Sequence, residues 1–161
     1  LEPDLVPTFI TTKHRIDLTF HKLEKKINKV IDEYDKNKGM TIGLSKDLGI
    51  ITHYIADYFT FPHNIEYPGT MTEHIHYEAQ LKVDFREFVQ KMKEKHAHFQ
   101  EVNMQSADEI CTFIRKCHEE YLHAVKSVEN DCRYILQICA QVVGAILHLL
   151  QQNSMPLGCY M

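Results

Sequence analysis

The run Ile51-Thr52-His53-Tyr54-Ile55-Ala56-Asp57-Tyr58-Phe59-Thr60-Phe61-Pro62-His63 decides how this chain is read. Leu44, Leu48, Ile51, Ile55 and Tyr58 fall on one side of a helix from about Ser45 to Phe61, and Ile50, Tyr54 and Phe61 fall on flanks nearly opposite. A helix that is apolar most of the way round is a buried, central one. His53 and Asp57 nevertheless stand one turn apart on a single face of it. Ionisable groups in a segment that excludes water need a partner.

Outward from that helix the same period recurs. Thr11 or Thr12 offers a cap for a helix from about His14 to Tyr34, whose stripe is Ile16, Phe20, Leu23, Ile27, Val30, Ile31 and Tyr34. Lys36-Asn37-Lys38-Gly39 ends it. Residues 62–69 read as a loop, and Thr70 with Glu73 forms a capping box that opens a helix to about His98, with Leu81, Phe85, Phe88 and Met92 as its core stripe. Ser106 with Glu109 opens another helix to about Ala124, and Ser127 restarts the chain into a last helix ending near Gln152. The expectation is an all-α fold: one domain of five helices, the central one carrying the ionisable pair.

Composition agrees. The chain has 161 residues, 44% hydrophobic and 25% charged, enough for a core without disulfides. Its formal charge of -4 disfavours a nucleic-acid binder, which carries a basic excess, so no stable nucleic-acid complex is expected. Apolar stretches are interrupted by His, Gln, Arg or Asp before the roughly 18 residues that a bilayer span needs, so no transmembrane segment is expected. The five cysteines lie in the last third, mostly within apolar helical patterns, and read as free core thiols. The first residues, Leu1-Glu2-Pro3, contain no initiator Met and no visible export signal, which fits a chain whose amino end is processed or truncated.

Eleven histidines are more than the core of such a chain calls for. His63 follows the central helix, where Pro62 stiffens the backbone and lets the imidazole turn back toward Asp57. His74 and Glu78 are again one turn apart, on the stripe of Leu81, Phe85 and Phe88, and so face the core. Two carboxylates among three histidines on inward faces are best satisfied by a divalent ion, and the absence of Cys from the set suits zinc. His76 points away from His74 and is read as solvated. His96, His98, His118, His123 and His148 lack ligand spacing and are read as surface or satisfied side chains.

The pattern His53-x3-Asp57-x5-His63-x10-His74-x3-Glu78 resembles the ligand signature of the zinc-dependent phospholipase C family, all-helical enzymes related to the S1/P1 nucleases. The resemblance implies that Asp57 bridges two zinc ions, with His53 beside it on one and His63, His74 and Glu78 on the other. It also implies an upstream Asp and His, which best fit Asp4 and His14; Asp17 and His21 are the rival pair. In the family the third zinc is held by an amino-terminal residue and an early His. Leu1 lies three residues before Asp4 and no other His precedes His14, so two zinc ions are expected, with a third only if upstream residues complete its site.

Zinc at such a site polarises phosphate oxygens and lowers the pKa of a bound water, which is hydrolase chemistry. The resemblance assigns Asp4 to the attacking water and names a phospholipid as first substrate, cleaved to diacylglycerol and a phosphorylated head group. Tyr54, Phe59 and Phe61 are candidates to line the head-group pocket, each with an alternative place in the core. Two rivals stand beside this reading: a nuclease or nucleotide phosphoesterase of the S1/P1 kind, and a non-catalytic helical protein with a structural metal.

Overall fold

In the computed structural model, which describes residues 15–152, apolar side chains spaced three or four apart produce five helices and one short 3-10 turn. Helix α1 is Ile16–Asp32, α2 is Ile42–Tyr58, the turn is Phe61–His63, α3 is Met71–Glu94, α4 is Ala107–His123 and α5 is Val128–Gln152. The all-α reading holds, and the helices pack into one domain. Their starts follow from local hydrogen bonds. Thr41 accepts from the Leu44 N–H to open α2, and Thr70 and Glu73 complete both halves of a capping box at α3. Ser106 caps α4, but the Glu109 carboxylate turns to the Gln105 N–H. Ser127 accepts from the Asn130 N–H at the start of α5.

Three expectations of detail are corrected. Helix α1 is preceded by Arg15, which makes no side-chain cap, while Thr11 and Thr12 lie outside the described residues. Helix α3 ends at Glu94 instead of His98. There His96 adopts φ 48°, and the Ala97 and His96 N–H groups return to the Met92 and Lys93 carbonyls. That is a Schellman stop with histidine where glycine is usual. Helix α2 starts at Ile42 and ends at Tyr58, so Phe61, Pro62 and His63 belong to the separate turn.

The central helix is also a different one. Only the second half of α2 is buried, through Ile51, Tyr54, Ile55 and Tyr58, and Ile42 near its start is 90% exposed. Helix α5 packs against all four other helices and buries ten of its residues, among them Ile135, Ile138, Val142 and Ile146. By length and composition α5 is able to cross a membrane, because the Gln, Gly and His that interrupt its apolar runs bear no fixed charge. In the fold it is the core helix of the bundle. Cys111, Cys117 and Cys132 are buried and Cys139 half-buried, all four as free thiols.

Helix α3 is the outlying element. It packs chiefly against α5, and Leu81 alone among its residues is buried, with Phe85 and Phe88 leaning on the core. The Lys26–Asp47 ion pair, 2.8 Å long and partly shielded, joins α1 to α2 at the far end of the bundle.

Truncation of Ile55 or Ile146, both fully enclosed, to alanine is expected to lower unfolding free energy by about 2–5 kcal/mol. Ile42→Ala should change it by less than about 0.5 kcal/mol. Urea unfolding followed by circular dichroism distinguishes these outcomes.

Candidate metal centre

The tight turn at Phe61–His63 and the first two turns of α3 bring three donor atoms together. His63 Nε2 lies 2.7 Å from Glu78 Oε1, His74 Nε2 lies 2.9 Å from the same oxygen, and the two imidazole nitrogens are 3.3 Å apart. Tetrahedral zinc with bonds of about 2.0–2.1 Å holds its ligand atoms about 3.3 Å apart. The observed triangle is one face of such a tetrahedron, slightly contracted, so these residues fit the ion. Among the described residues this is the one group of three or more His, Cys, Asp or Glu whose donor atoms converge so closely.

The placement of the cluster differs from expectation in one respect. His63 and His74 are largely shielded, but the Glu78 side chain is 46% exposed. Helix α3 turns this face toward the edge of its contact with α5, and the cluster therefore sits at a rim with an open side. His76, about opposite to that face on the helix, is exposed as expected.

His53 and Asp57 form their own pair on α2, with Nε2 and Oδ2 3.4 Å apart and both side chains mostly buried. They do not join the three-donor group, but Asp57 acts on it through charge. Burial alone would pull the His63 pKa down; the Glu78 hydrogen bond and the charges of Asp57, Glu78 and Asp131 outweigh it and raise the value. Glu78 is held below the ordinary carboxylate range, first by its bond from His63 and then, against partial burial, by the bond from His74. Asp4 and His14 lie outside the described residues. Asp17, of the rival pair, is held by Arg15 at 3.0 and 2.5 Å, and His21 is exposed.

The aromatic candidates separate. Phe59 is fully buried, stacked on Tyr134 with centroids 5.8 Å apart, and Tyr54 is also in the core. Phe61 is half-buried and meets the edges of Tyr67 and Tyr77. Tyr67 folds over the turn toward His74 because residue 69 is glycine: a Cβ there would collide with the Tyr67 ring. A cleft of about 100 Å³ beside His74 is lined by Arg15, Asn64, Ile65, Tyr67 and Met71 among others.

Two supports of this site escape a sequence reading. Asp131, in the first turn of α5 and fully buried, accepts hydrogen bonds from the Phe61 N–H at 2.9 Å, the Tyr77 hydroxyl at 2.8 Å and the Tyr121 hydroxyl at 2.7 Å. Burial raises its pKa, and these three bonds oppose the rise. Asn64 is also buried; it donates to the Tyr58 and Thr60 carbonyls and accepts from His118 Nε2 at 2.8 Å. His118 is thus the satisfied core histidine anticipated, with a pKa pushed down to about 4, chiefly by burial. The sequence signal for Asp131 is its position: it shares a helical stripe with Ile135, Ile138 and Val142.

Removing the carboxylate with Asp131→Ala strands three donors and should destabilise the metal-free chain by about 3–5 kcal/mol, whereas Tyr77→Phe should lose about 1–2 kcal/mol. His118 stays neutral in the fold until about pH 4, while in the unfolded chain it takes a proton near pH 6.5. Its contribution to stability is therefore full above pH 6.5 and falls as the pH drops toward 4, by on the order of 3 kcal/mol. Unfolding in chelator across that window should show a shallower slope for His118→Gln than for the parent chain.

No curated protein and no solved structure matches this chain. The family model for zinc dependent phospholipase C matches residues 1–131, from the first residue through α4 to Asp131 itself. The match takes in all of His53, Asp57, His63, His74 and Glu78, and the chain belongs to the zinc dependent phospholipase C family.

Proposed function

We propose that this protein is a zinc-dependent phosphodiester hydrolase that cleaves a phospholipid in the manner of a phospholipase C. The observation that carries the reading is the triangle of His63, His74 and Glu78 donor atoms, at the spacing of a zinc coordination face. His63, His74 and Glu78 would hold one ion, and His53 and Asp57 would contribute to a second. Asp4 and His14 complete the set, and Asp4 orients or deprotonates the attacking water. Bound zinc supplies a Lewis acid for the non-bridging phosphate oxygens and lowers the pKa of a coordinated water toward about 7.

The protein's own groups prepare for this chemistry. The Glu78 carboxylate, held below the ordinary carboxylate range chiefly by its bond from His63, accepts hydrogen bonds from both Nε2 atoms and so fixes the two imidazoles. Asp57 adds negative charge toward the same point from α2. Phe61, half-buried beside His63, is the remaining aromatic candidate for a head-group contact, since Tyr54 and Phe59 occupy the core. The surroundings favour a lipid over nucleic acid. Glu66 and Glu73, near His63 and His74 in sequence, are exposed, Arg15 is engaged by Asp17, and Lys126 donates to the Tyr121 and Leu122 carbonyls at the end of α4. A nucleic-acid groove needs free cations along its length.

Elemental analysis of protein purified without added metal, with hydrolysis of a chromogenic phosphodiester before and after zinc addition, tests the reading. Two or more zinc ions per chain together with activity are expected; zinc without activity would instead indicate a structural metal. His74→Ala and Asp57→Asn should each lower zinc content, activity by ~100-fold or more, and melting temperature together. His76→Ala should leave all three unchanged.

A further inference from the structure

Between α3 and α4 the chain crosses residues 97–105 without a turn or bend, and the exposure of its side chains alternates. Ala97, Phe99, Val102 and Met104 are shielded, whereas His98, Gln100, Glu101, Asn103 and Gln105 face solvent. A period of two is that of a strand, with one slip where Gln100 and Glu101 are exposed in succession. Met104 anchors the segment in the core and Val102 leans on it. The helices pair their own backbone, but this segment has no such partner. Among the described residues, the N–H groups of 98–104 make no hydrogen bond, and of their carbonyls only that of Gln100 accepts one.

That one bond shows what the segment lacks. It comes from the side-chain amide of Gln141 on α5, at 2.9 Å, much as the N–H of a neighbouring strand would supply it. The other half of the same amide, Oε1, is buried and has no hydrogen-bond partner, and an acceptor left so is costly. Beside the segment runs a groove of about 910 Å³, lined by Phe99 and Val102 on one side and by Gln141, Gly144 and Leu147 of α5 on the other. Glu101 is the one fixed charge among its lining residues, and the absence of Lys and Arg there makes it a poor seat for phosphate. Gly144 lies about 20 Å along α5 from Asp131, well away from the candidate metal centre.

A second length of extended backbone matches these features together. It offers N–H and C=O groups to the unpaired edge and turns every second side chain toward the groove. We propose that residues 97–104 and the groove along α5 bind an extended peptide by strand addition, apolar at alternate positions and neutral or basic between them. The site shares no residue with the metal centre, so it stands or falls apart from the hydrolase reading.

The probe is a fluorescein-labelled, amino-acetylated Val-Lys-Val-Thr-Val-Lys-Val amide, titrated with the full chain and followed by anisotropy. Gly144→Leu places a side chain in the groove at a position where a Cβ meets nothing within 4 Å, so the fold is kept. Gln141→Met removes the amide at similar size, and the melting temperatures of both variants are checked against the parent. Each substitution should weaken binding by about tenfold or more. Bound peptide should slow hydrogen exchange at the 98–104 amides, and Glu in place of Lys in the peptide should weaken binding. Because successive N–H groups of a strand point to opposite edges, N-methylation of one alternate set of peptide residues should abolish binding and that of the other set should not. Absence of binding by millimolar peptide, binding untouched by Gly144→Leu, or equal tolerance of N-methylation at both sets would overturn the proposal. So would a concentration-dependent dimer in sedimentation that Gly144→Leu dissolves, which would make a second copy the occupant.

Discussion

A buried carboxylate organises this protein. Taking a lone ionised carboxyl out of water carries a penalty of several kcal/mol, and Asp131 is fully enclosed. It is tolerable only because three donors converge on it from three different elements: the backbone of the 3-10 turn, Tyr77 of α3 and Tyr121 of α4. Hydrogen bonds to a charged acceptor contribute roughly 1.5–3 kcal/mol each. Because the carboxylate is part of α5, the helix that touches every other, those bonds register the outlying α3 and the turn against the core. Phe61 is two residues from His63, and Tyr77 is next to Glu78. The donor triangle is therefore assembled by a residue that is not one of its corners.

The turn is held at its other end as well. Asn64 ties it to the Tyr58 and Thr60 carbonyls and receives the imidazole of His118 from α4. With Asp131 on the Phe61 N–H and Asn64 on the far side, His63 sits on three residues of backbone clamped at both ends. A single-turn helix has little stability of its own, so its geometry must be imposed from outside. A metal centre needs its ligands fixed before the ion arrives, and side chains locked by a surrounding polar network meet that need.

Much of this was legible in the sequence, and the limits have a physical pattern. Helices, their capping residues and the His–Asp–His–His–Glu spacing are local features, readable from neighbours three or four positions apart, and most of them stand in the structure where the period put them. The ranking of helices by burial was not readable in the same way. Helix α2 is apolar nearly all round yet half of it faces solvent, whereas α5, interrupted by Gln137, Gln141 and His148, is the true centre. Polar side chains at the margin of a stripe do not keep a helix out of the core when it has neighbours on every side. The Phe61–Asp131, Tyr77–Asp131 and Asn64–His118 bonds join residues 54 or more positions apart, and no local period encodes them.

The exposure of Glu78 follows from the same architecture. A polar pair on a helix that packs chiefly against a single partner is pushed to the border of that contact, because the apolar stripe through Leu81, Phe85 and Phe88 claims the centre. His74 and Glu78 lie just beyond the end of that stripe, where α3 leaves the bundle and the chain turns at Gly69. An all-helical domain of this size has few places where donor atoms can converge without being either fully solvated or sealed in. The junction of a clamped turn with the first two turns of a capped helix is such a place. It shields two imidazoles while leaving one carboxylate edge open.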